Sequence, residues 1–416
     1  MSSKLLYSIP RMGMSMTLNT KKYQVALFSA LIFTLIIPVS GMNIATGQTI
    51  DEIDACADKV DEQLRVVHGQ FNIDKAEAKV LNSQQFREKT LNKNFESLGA
   101  SVESSVDKDC NLQAINTFLI FEITEETQKT TEKQFKDILK IKIDNTSYDV
   151  KEIIEQQIVN HQNAGFTYSL NWSGYTMYDK PGSTYLNVNY ARARFNVPDI
   201  SDPTIPTGFN CTGTDDDRCA MSIWAGISRD QYGSVLMAQT GVEGDCLGNN
   251  CANGETYQMF TEMVGVPHQN YCSGTVHAGD SMTSTTSHSV SGSTHTYQMT
   301  TFDYTTGQIC SASPTSTSSN GQTRYAQYIT ERPQTGSEYE RLPAFPDFQI
   351  RGNIKRSDGV LTGIQPVYNA GQYFAVYMTH NSFPPPTGTV NVQVGAVGAT
   401  TVDYFLVDYK TSYGTE

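Results

Sequence analysis

The chain has 416 residues, 30 of them basic and 43 acidic, for a net charge of −13 at pH 7. That balance argues against a sequence-independent phosphate-binding surface, so nucleic acid is not an expected partner. With 31 Gly, 15 Pro and abundant Ser and Thr, the composition favours short strands and turns, in two or three domains.

Residues 25–39, VALFSALIFTLIIPV, follow Lys21 and Lys22 and precede the small residues SGMNIATG. The run is shorter than the roughly twenty residues of a spanning helix, and Pro38 interrupts its end. Residues 1–47 therefore read as a secretory signal region, with an uncleaved membrane anchor as the alternative. A start at Met14 or Met16 would set the basic residues in their usual place.

Charged residues number 36 in 51–160 but 33 in 161–416, and so contrasted a density separates two folding units. Residues 51–95 carry apolar positions at helical spacing and predict two helices. TFLIFEI (117–123) and ILKIKI (138–143) predict strands, and YDVKEIIEQQIV (148–159) a helix. Residues 48–160 are thus expected to form a small α+β unit. Behind an export signal, it reads as an inhibitory or folding-assisting prosegment, the alternative being a stable accessory domain.

From residue 161 the pattern becomes alternating strands such as YLNVNYARARF, SVLMAQTGV, SMTSTTSHSVS and RYAQYIT. Residues 161–416 predict a mainly β fold, an antiparallel two-sheet β-sandwich of concanavalin or jelly-roll type. CSASPTSTSSNGQ (310–322) reads as a flexible loop and SFPPPTG (382–388) as a stiff connector. Sequons at Asn145, Asn171 and Asn210 would place those residues at the surface if glycosylated.

Eight cysteines, an even number in an exported chain, indicate disulfides. Neighbourhood along the chain suggests Cys56 with Cys110, Cys211 with Cys219, Cys246 with Cys251, and Cys272 with Cys310, although other connectivities are open. No pair of CxxC units and no HExxH helix accompanies them, so neither metal nor cofactor is expected.

No GxSxG elbow is present. Gly279-Asp280-Ser281 has the look of an esterase block, but no histidine stands three residues after an Asp, and the triplet reads as a turn entering a strand. His277, His288 and His295 lie among Ser and Thr on strands expected to be exposed. Paired cysteines leave no thiol nucleophile.

Carboxylate chemistry remains, either two acids flanking a glycosidic bond or a carboxylate and a polar partner acting on an amide. The relevant blocks are NWSGY at 171–175, IWAGISRDQYGSVLMAQTGVEGD at 223–245 and YAQYITERP at 325–333, with YQMFTEMVGVP, FDYTTGQ and RLPAFPDF between and after them. Strand alternation puts Val235, Met237 and Gln239 on one face, and Tyr325, Gln327, Ile329 and Glu331 on one face.

In that order and spacing, residues 166–348 resemble the glutamic peptidases, or eqolisins. The resemblance implies a two-sheet β-sandwich and a Gln/Glu dyad acting through one water, with the family Gln on Gln239 and the family Glu on Glu331. It also puts the family Trp of WxGI on Trp224, as a cleft floor, and a substrate-side Glu on Glu262. The WYEW block of the family stands here as MFTEM, and Gln327 and Tyr328 replace the Glu and Trp of its EWIxE strand, so the cleft wall differs. The expectation is a secreted, acid-acting, monomeric endopeptidase with polypeptide substrates and its own prosegment as intramolecular inhibitor. Two rivals are a carbohydrate-binding or surface sandwich and a glycosidase pairing Glu331 with Glu262.

Overall fold

In the computed structural model of the chain, the described residues are 50–91, 93–125, 135–159, 171–178, 188–201, 219–230, 236–246, 251, 254–264, 268–317, 323–335, 338–355, 361–369, 372–376, 378–379, 390–398 and 403–409. Residues 1–47, expected to be a signal region, Cys211, Asn210 and the Pro-rich stretch at 382–388 lie outside them. Among the described residues, no helix is long and apolar enough to cross a membrane.

Three helices come first: α1 (Ile50–Gln70), α2 (Ile73–Leu81) and α3 (Gln84–Lys89). The stretch expected to hold two helices is cut into three by its own caps. Asn72 Oδ1 accepts from the Lys75 N–H at 2.9 Å, and Ser83 Oγ from the Phe86 N–H at 3.2 Å, each starting a new helix. A four-strand meander follows, β1 (Lys93–Val106), β2 (Leu112–Glu125), β3 (Phe135–Ile143) and β4 (Val150–Val159).

β4 overturns the helix expected at 148–159. Its Val and Ile spacing suits either element, and antiparallel pairing along β3, with Ile153 opposite Ile141, decides for strand. β2 and β3 are buried on both faces, hence their nearly unbroken apolar runs. Leu119, Phe121, Leu139 and Ile141 pack on Ala76, Val80 and Phe86 of the helices, while Ile120 and Ile138 point the other way.

The remaining strands, in chain order, are β5 (Trp172–Tyr178), β6 (Tyr190–Asn196), β7 (Cys219–Ser228), β8 (Met237–Cys246), β9 (Glu255–Val264), β10 (His268–Tyr271), β11 (Ser281–Ser291), β12 (Thr294–Asp303), β13 (Gln308–Ala312), β14 (Thr315–Ser316) and β15 (Tyr325–Glu331). After the short β16 (Gln334–Thr335) and β17 (Glu338–Tyr339) come β18 (Phe348–Lys355), β19 (Leu361–Gly363), β20 (Tyr373–Val376), β21 (Met378–Thr379), β22 (Val390–Val394) and β23 (Tyr404–Tyr409). They form the expected antiparallel sandwich. One sheet runs β10-β9-β8-β7-β15-β5-β20; the other runs β21-β22-β23-β18-β6-β11-β12-β13 and continues through β1-β2-β3-β4.

Between the sheets lies the main core, with Ala191, Ala193 and Phe195 of β6 facing Ile223, Ala225 and Ile227 of β7. Hydroxyls thread this core: Thr240 Oγ1 is 2.8 Å from Thr301 Oγ1, which is 3.2 Å from Ser284 Oγ. The Ser/Thr strand β11 is therefore buried from Ser281 to Thr286 and exposed only at its end, from Ser289 to Ser291. His295 is buried and stacks on His288, correcting the solvated reading of both, whereas His277 is exposed. Cys310–Ala312 is likewise strand and not loop. Asp280 does sit in a turn leading into β11, accepting the His277 N–H at 2.7 Å.

Cys56–Cys110, Cys246–Cys251 and Cys272–Cys310 are bridged as expected, and Cys219 is also disulfide-bonded. Asn145 is exposed, but Asn171 is buried at 2% exposure and cannot carry a glycan in this fold.

The N-terminal elements grip the sandwich on two sides. On the outer face of the larger sheet, α1 presents Asp54, Asp58 and Asp61 to arginines. Arg192 donates to Asp58 at 2.7 Å and to Asp61 at 3.2 Å, Arg194 pairs with Asp54, and Arg351 reaches Asp54 at 3.3 Å. Two negatively charged segments are thereby held by local pairs, with the acids on the N-terminal side. On the opposite side, Leu98, Ile120 and Ile138 of the meander pack on the free face of the seven-stranded sheet.

Candidate active site

Register decides which side chains share that free face. Gln239 of β8 lies opposite Gly226 of β7, which lies opposite Gln327 of β15; Trp224 lies opposite Gly241 and Ile329; Glu331 lies opposite Ser222 and Trp172. Directly opposed residues point the same way, so Gln239, Trp224, Glu331 and Trp172 stand on one face. Glu262 of β9 joins them, opposite Gln239.

Two glycines make room for the indole. A Cβ on Gly241 would lie 2.7 Å from Trp224 Cβ and 2.0 Å from the Ile223 carbonyl, and one on Gly226 would lie 2.9 Å from Trp224 Cζ3. The ring thus lies flat along the sheet, with its six-membered edge over Gly226, beside Gln239. Its other end meets Glu331: Nε1 donates to Glu331 Oε2 at 2.7 Å. Trp172 packs edge-on against it, with centroids 5.2 Å apart.

Glu331 accepts a second bond, from Asn171 Nδ2 to Oε1 at 2.9 Å, so each carboxylate oxygen has a donor. Gln239 donates from Nε2 to Glu262 Oε2 at 2.6 Å. Because an ionised carboxylate only accepts, this contact turns the amide nitrogen of Gln239 toward Glu262 and fixes which way the amide faces. Farther along, Tyr271 OH donates to Glu243 Oε2 at 2.8 Å, and buried Lys140 of β3 donates to the Tyr271 carbonyl at 3.0 Å while paired with Glu103.

Gln239 and Glu331 thus share a face but do not touch. In register, Glu331 is four residues beyond the position level with Gln239 and two strands away. The Trp224 indole spans the interval between them. Over this ground sit the side chains of Leu98, Ile120 and Ile138, in one apolar cluster with Trp172, Trp224, Met237, Phe260 and Ile329.

The sequence singled out Gln239, Glu331, Trp224 and Glu262, and the fold gathers all four on this face. It undervalued Asn171, read there as a sequon inside the NWSG block, although its amide holds the carboxylate of Glu331.

Residues 170–397 match the family model described as the Peptidase A4 family. The chain belongs to the glutamic peptidases, or eqolisins. The matched stretch contains Asn171, Trp224, Gln239, Glu262 and Glu331, whereas the meander that covers them lies wholly outside it. Membership makes this glutamic peptidase a peptide-bond hydrolase. A search of curated proteins returns no match. Among solved structures, a tesB protein of Mycobacterium avium subsp. paratuberculosis aligns at 9% identity over 61% of this chain and 84% of its own, with a TM-score of 0.11, a likeness that carries no argument.

Proposed function

We propose that the protein is the precursor of a secreted endopeptidase that cleaves polypeptides in acid with Gln239 and Glu331. The observation that carries this reading is the shared face: the positions matching the family dyad stand on one sheet face, with the Trp224 indole as floor between them. Glu331 acts as general base on a water that attacks the scissile carbonyl. The Gln239 amide keeps one N–H on Glu262 and offers the other to the developing oxyanion. Protonated Glu331 then gives its proton to the leaving nitrogen as the C–N bond breaks. Disulfides fit an oxidising, extracellular destination.

In the same reading residues 48–160 are an intramolecular inhibitor. Support comes from the apolar plug on the face that a substrate must reach, and from the absence of any disulfide tying Cys56 or Cys110 to the sandwich. The experiment is digestion of an unfolded protein between pH 2 and 7 with pepstatin present, beside Gln239→Glu and Glu331→Gln. Cleavage that survives both substitutions assigns the activity to another site.

A further inference from the structure

The outer face of the larger sheet carries a row of cations that the candidate chemistry does not use. Register places them. Arg194 of β6 lies opposite Arg351 of β18 on one side and Thr283 of β11 on the other, and Arg192, two residues along, lies opposite Asn353 and Thr285. Because Ala191, Ala193 and Phe195 of β6 fill the core, alternation turns all three guanidiniums outward.

Neighbouring side chains hold the row in place. The Arg192 guanidinium lies over the Tyr190 ring at 5.3 Å, and that of Arg351 over the Tyr404 ring at 5.8 Å. Arg192 Nε also donates to Thr285 Oγ1 at 3.2 Å. These supports all come from the strands of the sandwich, so the row is organised without help from α1.

α1 covers the row but satisfies it poorly. Asp54, Asp58 and Asp61 stand at i, i+4 and i+7, on one side of the helix. Arg192 and Arg194 are each 1% exposed, yet Arg192 Nη1, Arg194 Nε, Arg194 Nη1 and Arg351 Nε are buried without a hydrogen-bond partner. Arg192 Nη1 stands 3.7 Å from Asp54 Oδ1, an ion-pair distance beyond a hydrogen bond. Each guanidinium brings five N–H donors in a planar fork, and carboxylates spaced along a helix leave part of that fork unused.

We propose that Arg192, Arg194 and Arg351 form an anion site on the face away from the candidate cleft, which takes a phosphate or sulfate group once α1 has gone. This rests on the reading that residues 48–160 are removed. A tetrahedral oxyanion directs several acceptor oxygens outward from one centre, and guanidiniums meet such groups through pairs of parallel N–H bonds. Acid sharpens the choice of ligand. Carboxylates of an acidic peptide lose their charge near pH 4, whereas guanidinium and a phosphate or sulfate ester remain ionised there. The site therefore suits a ligand that stays charged where an acid-acting peptidase works, and filling it leaves the cleft on the other sheet open.

Full-length Glu331→Gln protein carrying Asp54→Ala, Asp58→Ala and Asp61→Ala bares the row without any cleavage. Titration calorimetry at pH 5 and constant ionic strength should show saturable binding of inorganic phosphate or sulfate. That binding should be absent while the aspartates are intact and lost when Arg194→Gln is added. No binding, or binding that survives Arg194→Gln, overturns the site. A sulfated polysaccharide and a sugar phosphate, titrated beside the free ions, identify the source: tighter binding of either marks an ester as the ligand, and equal binding marks the free ion. Should the aspartate-free protein not fold, tryptic cleavage within α1 of the Glu331→Gln parent decides. Phosphate competes with the aspartates for the arginines and should speed that cleavage relative to chloride at equal ionic strength, against its general tendency to strengthen folds; an unchanged or slower rate overturns the site. If the aspartate-free protein binds the anion while the wild-type chain stays uncut in acid, the removable-cover reading falls and the site stands as one that α1 keeps shut.

Discussion

The indole Nε1 of Trp224 donates to Glu331 Oε2 at 2.7 Å, while the far edge of the same ring covers Gly226 beside Gln239. One side chain is thus in contact with one member of the candidate dyad and adjacent to the other. This is why a fully buried tryptophan can matter to the chemistry as well as to the core.

Trp224→Phe keeps most of the ring and removes the donor. A hydrogen bond to a charged group is worth about 1.5–3 kcal/mol, so kcat/KM should fall by about 10–100-fold, and the thermal midpoint should drop by a few degrees because the buried ring also leaves a void. Asn171→Ala, which removes the donor to the other oxygen, should fall in the same range. Unchanged kinetics in both variants would mean that the orientation of Glu331 does not limit the reaction.

Gln239→Glu sets a second carboxylate against Glu262 and replaces an oxyanion donor. Losing one such donor costs about 10²–10³ in rate. Glu331→Gln removes the base. Both proteins should keep the wild-type far-UV spectrum and lose cleavage, as read by peptide hydrolysis in acid.

Gly241 has no room for a methyl group, since its Cβ would sit 2.0 Å from the Ile223 carbonyl, a backbone atom that cannot swing away. Gly241→Ala should cost about 3 kcal/mol or more through overpacking and displaced strands. Urea unfolding measures this, and a loss under about 1 kcal/mol would show that β7 and β8 separate more readily than their pairing implies.

Arg192, 1% exposed, holds Asp58 and Asp61 against the outer sheet. Arg192→Ala breaks a buried pair and should loosen α1 by about 3–5 kcal/mol at neutral pH. Part of that loss should return as pH falls, because burial already favours the protonated form of Asp61. Limited proteolysis of α1 at pH 7 and pH 5 tests both statements.

Much of the sandwich was legible because alternation and family motifs coincide on β7, β8 and β15, where each glycine of WAGI and QTG has a steric reason to be glycine. The Cys246–Cys251 bridge was legible because a short, turn-rich loop separates the two cysteines, whereas Cys56–Cys110 and Cys272–Cys310, 54 and 38 residues apart, rested on neighbourhood alone. What stayed hidden depends on partners distant in the chain. β4 could not be told from a helix without β3 beside it, and β1, sparse in apolar residues, is a strand because β2 and β13 flank it. The hydroxyls of β11 look solvent-facing until a second sheet is laid over them. The role of Asn171 comes from a contact with Glu331 across 160 residues, which no local pattern encodes.

β13 pairs with β12 on one side and with β1 on the other, from Ser101 opposite Ala312 to Ser105 opposite Gln308. If residues 48–160 depart, an interior strand becomes a raw edge. Its sequence, QICSA, holds no lysine, proline or other charge of the kind that keeps such edges from recruiting further strands. On the reading that residues 48–160 are a removable cover, they would then also be a solubility device, and the matured protein would have to find another strand for that edge, from a substrate or from a second copy of itself.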